Sequence, residues 1–333
     1  MNIEAVPPRR ILVTGAAGFI GFHLSRRLLD AGAKVFGIDN LNNYYDPALK
    51  EARLSRLAGE RFQIEIADLS DHDCLQRMFS AFKPTHVVHL AAQAGVRYSI
   101  ENPRAYISSN IDGFLGVLEA CRRTPVTHLV YASSSSVYGT DSKPPFSELE
   151  RADRPISLYA ATKRANELMA HTYAHLYGIA ATGLRFFTVY GPWGRPDMAY
   201  YTFTKAIFEG RLIELFNGGQ MWRDFTYIDD IVEGIVRLLN RPPDRAKDAP
   251  HVLYNIGNHT PVSLERFITI LGDAVGRPVR KAYRPMQPGD VLSTFADVDS
   301  LRDAVGFTPS TALEDGLQRF VAWYREHHGY LEL

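Results

Sequence analysis

A short apolar run that ends in a glycine-rich turn constrains the fold of this chain more than any other stretch. Residues 11–14 (ILVT) predict a buried strand, residues 15–21 (GAAGFIG) follow it, and residues 23–31 predict an amphipathic helix. In such a unit Gly15 permits the tight turn, Gly18 lets a pyrophosphate approach the backbone, and Gly21 lets helix and strand pack closely. The start of the helix offers phosphate free N–H groups and a positive dipole end. The stretch therefore predicts a dinucleotide site.

An acidic residue after the next strand selects among the dinucleotides. Residues 34–38 predict that strand, and Asp39 follows it, about 20 residues after the turn. A carboxylate there accepts hydrogen bonds from a ribose diol and repels a ribose phosphate. The glycine spacing is G-x-x-G-x-x-G rather than G-x-G-x-x-G, so the turn alone is weak evidence and the strand with its acid supplies the context. Together they predict NAD rather than NADP.

Strands and helices continue to alternate up to residue 187. The further predicted strands lie at 61–67, 85–90, 128–132 and 181–186, and the predicted helices at 73–82, 103–123 and 158–177. Such alternation predicts an α/β fold with a Rossmann-like, doubly wound parallel sheet. Ligands of these sheets bind beyond the carboxyl ends of the strands, so the residues after each strand are candidate contacts.

Composition argues against several functional classes. The 333 residues carry 37 basic and 37 acidic side chains, which gives no electrostatic attraction to nucleic acid or anionic membrane. Cys74 and Cys121 lie outside any C-x-x-C pair, which favours a reducing compartment without structural zinc. His86 and His89 alternate with apolar residues in a strand and are interpreted as core residues rather than metal ligands. With no signal-peptide core and no apolar run of membrane-spanning length, we expect a cytoplasmic protein without a bound metal.

A tyrosine and a lysine four residues apart supply the candidate chemistry. In a helix over 158–177, Tyr159 and Lys163 lie on one face, one turn apart. The ammonium of Lys163 favours phenolate and lowers a tyrosine pKa that is about 10 when unperturbed, so Tyr159 can take a proton from an alcohol. The serines at 133–136 follow a predicted strand, and a hydroxyl there can share this proton. A surface helix can carry the same pair, so the assignment depends on the glycine turn and Asp39.

These features together resemble the extended short-chain dehydrogenase/reductase superfamily, in its branch of NAD-dependent nucleotide-sugar epimerases and dehydratases. Within that branch the chain most resembles the UDP-glucuronate 4-epimerases. The stretches that carry this resemblance are 89–99 (HLAAQAGVRYS), 185–199 (RFFTVYGPWGRPDMA), 223–230 (RDFTYIDD) and 286–291 (MQPGDV). UDP-glucose 4-epimerases usually carry Asn in place of Thr188 and Arg in place of Gln287, which counts against a neutral hexose as the main substrate.

The resemblance implies three sets of site residues. In the catalytic set, Ser134 shares the proton, Tyr159 is the base, and Lys163 binds the nicotinamide ribose and tunes Tyr159. The implied NAD-binding residues are Gly15, Gly18, Phe19, Ile20, Gly21, Asp39, Asn40, Asn43, Asp68, Leu69, Leu90, Ala91, Ala92, Gln93, Asn110, Tyr159, Lys163 and Phe186. The implied substrate-binding residues are Arg97, Ser134, Ser135, Ser136, Tyr159, Thr188, Arg195, Ala199, Tyr201, Phe203, Arg223 and Asp290. Of these, Arg223 would bind the diphosphate, and Ser135, Ser136, Thr188 and Arg195 the sugar carboxylate.

The resemblance also implies a reaction and an organisation of the chain. The reaction is reversible C4 epimerisation of UDP-glucuronate to UDP-galacturonate through a 4-keto intermediate, with the hydride stored on tightly bound NAD. A UDP-glucuronate decarboxylase, a UDP-glucose 4-epimerase and a non-catalytic NAD-binding sensor stay open as alternatives. A 4,6-dehydratase is disfavoured because no Asp-Glu pair lies beside the serines. A homodimer through the helices at 103–123 and 158–177 is also expected.

The regular alternation of strands and helices ends after residue 188, which predicts a second lobe. Residues 191–196 (GPWGRP) form a loop rich in helix breakers, and prolines are scattered through the C-terminal part of the chain. We predict an NAD-binding Rossmann domain over 1–187 with a return segment at 225–258. A smaller mixed α/β lobe that binds the nucleotide sugar is predicted over 188–224 and 259–333.

Overall fold

The computed structural model describes residues 9–140, 143–286 and 292–330. The strands are β1 (Arg10–Thr14), β2 (Lys34–Asp39), β3 (Phe62–Ile66), β4 (His86–His89), β5 (His128–Ser134), β6 (Ala181–Phe186), β7 (Thr188–Tyr190), β8 (Ile213–Phe216), β9 (Trp222–Tyr227), β10 (His251–Ile256), β11 (Pro261–Ser263), β12 (Lys281–Arg284) and β13 (Ser293–Thr294). The α-helices are α1 (Phe19–Asp30), α2 (Pro47–Ser55), α3 (His72–Phe82), α4 (Tyr98–Glu101), α5 (Pro103–Tyr106), α6 (Gly113–Arg123), α7 (Leu158–Tyr177), α8 (Ala199–Phe208), α9 (Ile228–Leu239), α10 (Leu264–Val275), α11 (Asp299–Val305) and α12 (Leu313–His328). A π-helical segment, Ile107–Asp112, joins α5 to α6.

A seven-stranded sheet has the strand order β10-β6-β5-β4-β1-β2-β3. The registers from β3 across to β5 are all parallel. Leu12, Val13, Val87, Val88 and Leu129 are completely buried, as expected of strands covered on both faces. The order places β1 and β4 side by side at the point where the chain direction across the sheet reverses, which is where such sheets bind ligands. The predicted Rossmann-like sheet is confirmed.

The chain forms two compact units whose boundaries differ from the predicted domains. The first unit comprises residues 1–141, 151–185 and 232–254, and the second comprises 142–150, 186–231 and 255–333. The predicted return segment at 225–258 is therefore shorter, and residues 142–150 belong to the second unit. Residues 142–150 belong there because the N–H of Phe146 donates a hydrogen bond to the carbonyl of Phe295 at 2.9 Å.

The second unit is built around strand β9. β11 pairs with it in antiparallel fashion, and β7 and β13 pair with it in parallel. Strands β8 and β12 form a separate parallel pair. An aromatic cluster joins α8 to α12 through Tyr201, Phe320, Trp323 and Tyr324. These elements give the second unit a mixed α/β composition, and its role in binding the nucleotide sugar stays a prediction.

Two helical predictions need correction. The helix predicted over 103–123 is not α-helical throughout, because the π-helical turn interrupts it. The first helix begins at Phe19 rather than His23, so that Phe19 and Ile20 lie in its first turn. Helix α2 is not predicted at all, although Asp46 caps it at 2.9 Å from Ala48 N and Pro47 occupies its first turn, a known start signal. No helix among the described residues is long and apolar enough to cross a bilayer.

Candidate active site

The glycine turn forms a cradle with no room for side chains. Gly15 has a positive φ of 72°, and a Cβ at this position would lie 2.8 Å from the backbone nitrogen of Ala91. A Cβ at Gly21 would collide with the carbonyl oxygen of Gly15, and the N–H of Gly18 donates to that oxygen at 2.9 Å. Among the described residues, no side chain caps the first turn of α1. The roles predicted for the three glycines therefore have a geometric basis.

Asp39 lies at the end of β2 with its carboxylate fixed in place. One oxygen accepts the N–H of Ala17 at 3.1 Å and the other accepts that of Leu41 at 3.0 Å. The residue is 8% exposed, so the carboxylate is held at the glycine turn rather than free in solvent. A carboxylate oxygen has a second lone-pair site, which leaves each one able to accept a ribose hydroxyl.

Residues after β3 and β2 form a second polar group. Asn40 donates to Asp68 at 2.8 Å, and the N–H and hydroxyl of Ser70 donate to the other oxygen of Asp68 at 3.0 and 2.8 Å. Burial raises the pKa of Asp68, but these hydrogen bonds outweigh it, so the net pKa is lowered and the carboxylate stays charged. Leu69 is buried beside it, whereas Asn43 is exposed on the loop before α2.

Two buried cations from α2 support this end of the site, and sequence reasoning missed them. Arg53 is completely buried and donates to the carbonyl of Ala17 and to the hydroxyl of Tyr45, both at 2.8 Å. Lys50 donates to the carbonyl of Asn42 at 2.8 Å. Burial lowers the pKa of Lys50, the charge of Asp39 opposes this change, and the charge of Arg53 adds to it. Their spacing of three residues on a helix with an Asp-Pro start is the signal that points to them.

The loop after β4 is anchored to neighbouring strands. The hydroxyl of Thr14 bonds His89 Nδ1 at 2.8 Å and accepts the N–H of Ala91 at 3.2 Å. His89 is buried, and burial together with the charge of Lys163 lowers its pKa to about 3, so it is neutral. With His86 also buried, the interpretation of both histidines as core residues is confirmed.

The predicted catalytic residues all lie in the first unit. Ser157 caps α7 by accepting the N–H of Ala160 at 3.1 Å, so Tyr159 lies in the first turn and Lys163 in the next. Lys163 is 2% exposed, and its Nζ donates to the carbonyl of Ala132 at 2.9 Å, two residues before Ser134 on β5. The half-buried ring of Tyr159 packs edge-on against a buried tyrosine, Tyr106, with ring centroids 6.1 Å apart.

The serines at the end of β5 and just after it have different environments. Ser134 ends β5 and its hydroxyl accepts the N–H of Ser136 at 3.2 Å, which opens a 3₁₀ turn at Ser135–Tyr138. Ser135 and Ser136 are half-buried within that turn. Ser133 faces inward instead, and its hydroxyl donates to Glu167 at 2.6 Å. The hydroxyl of Ser134 thus keeps its own proton available for a substrate oxygen.

A buried ion pair behind β5 was also missed by sequence reasoning. Arg185 donates twice to Glu167, from Nε at 2.9 Å and from Nη2 at 2.8 Å, and both side chains are 1% exposed. Arg164 donates to the same carboxylate at 2.9 Å, and the guanidinium of Arg185 lies over the ring of Tyr138 at 4.7 Å. Burial raises the pKa of Glu167, but the bonds from Arg185 and Ser133 outweigh it and lower the net pKa. The pair ties α7 to β5 and β6 beneath the catalytic residues.

Asn110 has a side chain whose hydrogen-bonding groups are engaged by the protein, and its contact with NAD stays a prediction. It is completely buried in the π-helical segment. Its side-chain oxygen accepts the N–H of Gln93 at 2.8 Å, and its amide donates to the carbonyl of Gln93 and to Thr162 Oγ1, each at 3.0 Å. Both amide protons of Asn110 are bonded to protein atoms, so the side chain holds its neighbours in place. Gln93 lies with Leu90, Ala91 and Ala92 on the loop after β4.

Five predicted substrate residues of the second unit lie on β7, α8 and β9. Thr188 begins β7 and is half-buried, Ala199 begins α8, and Phe203 is half-buried within α8. Arg223, on β9, donates to the carbonyl of Trp222 at 2.8 Å. Tyr201 is 6% exposed in the aromatic cluster and its hydroxyl bonds His328 at 2.7 Å. Its contact with substrate stays a prediction.

The remaining predicted residues are placed as follows. Arg195 forms a two-point ion pair with Asp197, at 3.1 and 2.5 Å, so a substrate carboxylate would have to compete with that side chain. Arg97 is exposed just before α4, and Phe186 is the last residue of β6. Asp290 lies outside the described residues.

The fold and site define a nicotinamide-cofactor family, and comparison with known proteins gives the same result. Residues 11–257 match the NAD dependent epimerase/dehydratase family, and the chain belongs to it. The predicted family is confirmed.

Individual relatives are similar over nearly the full chain. A probable UDP-glucuronate 4-epimerase of Rhizobium meliloti is 49% identical, with 96% of this chain and 98% of that protein covered. The UDP-glucuronic acid 4-epimerase of Bacillus cereus, solved with UDP-glucuronic acid and NAD, has a TM-score of 0.86 at 33% identity and covers 96% of this chain and 99% of its own. The UDP-glucose 4-epimerase of Thermotoga maritima, solved with UDP-glucose, has a TM-score of 0.86 at 29% identity with the same coverage.

Proposed function

We propose that this protein catalyses the reversible C4 epimerisation of UDP-glucuronate to UDP-galacturonate, with NAD as its resident cofactor. The observation that carries the proposal is the bond of Lys163, one turn after Tyr159, to the strand that ends in Ser134. This set and the glycine cradle lie in the same unit. The likeness to UDP-glucuronate 4-epimerases from two organisms supports the choice of substrate.

The residues of the first unit fit NAD. A Cβ at Gly15 would collide with the backbone of Ala91, and one at Gly21 with the carbonyl of Gly15, so only glycines allow this turn. The uncapped start of α1 supplies N–H donors for a pyrophosphate. The anchored carboxylate of Asp39 suits a ribose diol and repels a 2′-phosphate. When bound, NAD supplies a reversible hydride acceptor for C4 of the sugar.

The residues of the chain perform the proton chemistry. Tyr159, as phenolate, takes the proton of the sugar 4-hydroxyl as C4 is oxidised, and it returns the proton when C4 is reduced. Lys163 favours the phenolate with its charge, and Ser134 shares the proton with the substrate oxygen. The 4-keto sugar must present its other face before reduction for C4 to invert. We therefore expect the nucleotide to stay anchored, with Arg223 on the diphosphate, while the sugar turns.

Lys163 sets an expected alkaline limit to activity. Burial lowers its pKa to about 8, so the amine is charged below pH 8 and loses its charge above it. Because the charged form favours the phenolate, we expect kcat to fall as pH rises through 8, by about 10-fold at pH 9. The pH profile of kcat measures this limb. Lys163→Arg stays charged over this range, so its remaining activity should lack the limb, and the same fall in both enzymes would contradict the assignment.

The intermediate poses a hazard that the residues predicted to contact the sugar carboxylate are expected to control. A 4-keto uronate is a β-keto acid, whose C5–carboxylate bond can break so that CO2 leaves and the electron pair passes to an enolate. Cleavage is fastest when that bond is perpendicular to the carbonyl plane, so donors that hold the carboxylate in another orientation slow it. We propose Ser135, Ser136, Thr188 and Arg195 for this task. The bidentate geometry that Arg195 adopts towards Asp197 is the geometry that a carboxylate requires.

Removal of these donors is expected to release CO2. Thr188→Val and Arg195→Ala should each raise the ratio of UDP-pentose to UDP-galacturonate by roughly 10-fold, measured by chromatography of the products. Arg211→Ala is a matched control, because Arg211 forms a similar side-chain pair with Glu209 at 2.5 Å on the exposed surface of the same unit. An unchanged product ratio in both test variants would remove these residues from the proposed role.

A panel of UDP-sugars tests the proposed function directly. Purified protein incubated with UDP-glucuronate should give UDP-galacturonate, and the same mixture should form from UDP-galacturonate. UDP-pentose as the main product would identify a decarboxylase, and faster turnover of UDP-glucose would identify a hexose epimerase. Cofactor binding without turnover of any sugar would identify a non-catalytic sensor.

We also propose that the protein is a homodimer through α5, the π-helical segment, α6 and α7. Large apolar side chains on these elements are exposed, including Ile107 in the π-helical segment at 49% and Leu168 and Leu176 on α7 at 55% and 60%. Exposed apolar side chains clustered on helices favour a protein interface. Light scattering should give twice the chain mass of 37.4 kDa, and a monomer at assay concentration would overturn the proposal. A cytoplasmic location stays a prediction from the sequence.

A further inference from the structure

A chain of buried hydrogen bonds begins at Asn166, a residue of α7 that no sequence pattern marks. Its Nδ2 donates to the backbone carbonyl of Asn110 at 2.6 Å. Asn110 lies in the π-helical segment, and both residues are almost completely buried. A π-helical turn departs from the regular i→i−4 bonding of an α-helix and leaves local groups that need other partners. Asn166 satisfies one of these groups from the helix that carries Tyr159.

From Asn110 the chain leads to the backbone of the proposed base. The amide of Asn110 donates to Thr162 Oγ1 at 3.0 Å, and Thr162 Oγ1 donates to the backbone carbonyl of Tyr159 at 2.8 Å. A hydroxyl has a single proton, so Thr162 must accept the first bond in order to donate the second. The direction of the chain is therefore fixed from Asn166 through Asn110 and Thr162 to Tyr159.

A second branch leads from Asn110 to the loop after β4. The amide of Asn110 bonds both peptide groups of Gln93, accepting from its N–H at 2.8 Å and donating to its carbonyl at 3.0 Å. Gln93 is buried next to the loop residues predicted to contact NAD. The side chain of Asn110 thus sets the position of the loop after β4 relative to the first turn of α7.

The cost of keeping an amide at residue 166 supports a specific role. Its Oδ1 is buried and finds no hydrogen-bond partner among the described residues. An unpaired buried acceptor is destabilising, and an apolar side chain of the same shape would avoid it. The bond that Nδ2 makes to Asn110 at 2.6 Å offsets this cost.

We propose that Asn166 is a positioning residue that holds the π-helical segment so that Asn110 fixes both the loop at Gln93 and the turn that presents Tyr159. The expected change in kcat rests on the proposed function, whereas the expected loosening of the loop and of the π-helical segment does not depend on activity. Loss of the Asn166 bond should loosen the loop and the π-helical segment together. It should lower kcat more than it changes KM, because the substrate is not touched.

Asn166→Leu tests this proposal against a matched control. Thr182→Val also removes one buried hydrogen bond of the first unit, from Thr182 to His128 at 2.8 Å, away from the loop. Hydrogen exchange of the purified protein should become roughly 10-fold faster at 90–95 and 107–112 in Asn166→Leu and stay unchanged there in Thr182→Val. With UDP-glucuronate, kcat should fall by about 10-fold in Asn166→Leu with KM within about 2-fold. Equal exchange at these segments in both variants overturns the proposal.

A second pair covers the case in which Asn166→Leu does not fold. Thr162→Val removes the hydroxyl between Asn110 and Tyr159 with little change of shape, whereas Thr162→Ser keeps a hydroxyl at this position. The proposal expects faster exchange at 107–112 and lower kcat in the valine variant, with both moving back towards wild type in the serine variant. Identical behaviour of the two variants overturns it. If wild-type protein turns over no UDP-sugar, the proposed function fails, and the exchange pattern still decides the role of Asn166.

Discussion

Replacing Tyr159 by phenylalanine is expected to lower kcat by at least about 10³-fold while the protein keeps its NAD. The phenol is the one group of the proposed set that removes the 4-hydroxyl proton, and its ring packing against Tyr106 does not need the hydroxyl. The change therefore removes chemistry without removing the fold. Product formation from UDP-glucuronate and the NAD released on denaturation measure the two parts of this expectation.

Tyr177→Phe is the matched control for this experiment. Tyr177 is the last residue of the same helix and is 49% exposed, so loss of its hydroxyl should leave kcat within about 2-fold of wild type. Full activity in Tyr159→Phe would contradict the role of Tyr159 as the base. Loss of NAD from that variant would instead show that the hydroxyl serves binding.

Glu167→Ala is expected to cost about 3–5 kcal/mol of the free energy of unfolding. The change leaves the guanidinium of Arg185, which is 1% exposed, without the carboxylate to which it donates twice. An uncompensated buried charge is far more destabilising than the lost attraction alone. Urea unfolding of both proteins, followed by circular dichroism, measures the difference.

The chain offers a less buried pair with similar geometry as a control, although Glu119 also accepts the hydroxyl of Tyr173 at 2.8 Å. Glu119 accepts two bonds from Arg122, at 3.0 and 2.7 Å, on the surface of α6. Glu119→Ala should therefore cost less than about 1 kcal/mol. Replacing both buried partners, as in Glu167→Leu with Arg185→Met, should be less destabilising than Glu167→Ala, because no charge is left unpaired. A cost below about 1 kcal/mol for Glu167→Ala would contradict the account of this pair.

The elements that were predicted well are those whose signal is local. Helix α7 has the predicted bounds because a serine caps it and a glycine in the left-handed conformation ends it, at Ser157 and Gly178. Strands β1 to β6 were found because buried parallel strands are continuous apolar runs bounded by turns. The turn at Gly15 and the position of Asp39 at the end of β2 were predicted because both follow directly from the strand and glycine spacing.

The features that were missed depend on contacts between distant parts of the chain. Arg53 and Glu167 look like ordinary solvent-facing residues of amphipathic helices, and only folding brings them to Ala17 and Arg185. The π-helical turn at Asn110 has no sequence signature, because its bonds come from residues 93, 162 and 166. The packing of Tyr201 against α12 was not predicted either, because it brings together residues more than 100 positions apart.

The fate of the hydrogen on C4 tests the central claim most directly. UDP-glucuronate labelled with deuterium at C4 should be converted in H2O, with excess unlabelled NADH in solution, and the product examined by mass spectrometry and NMR. The account predicts UDP-galacturonate that retains the deuterium at C4, since oxidation and reduction occur at the same carbon without release of the cofactor. Loss of the label to solvent or to the free cofactor pool, or its appearance at another carbon, would contradict it.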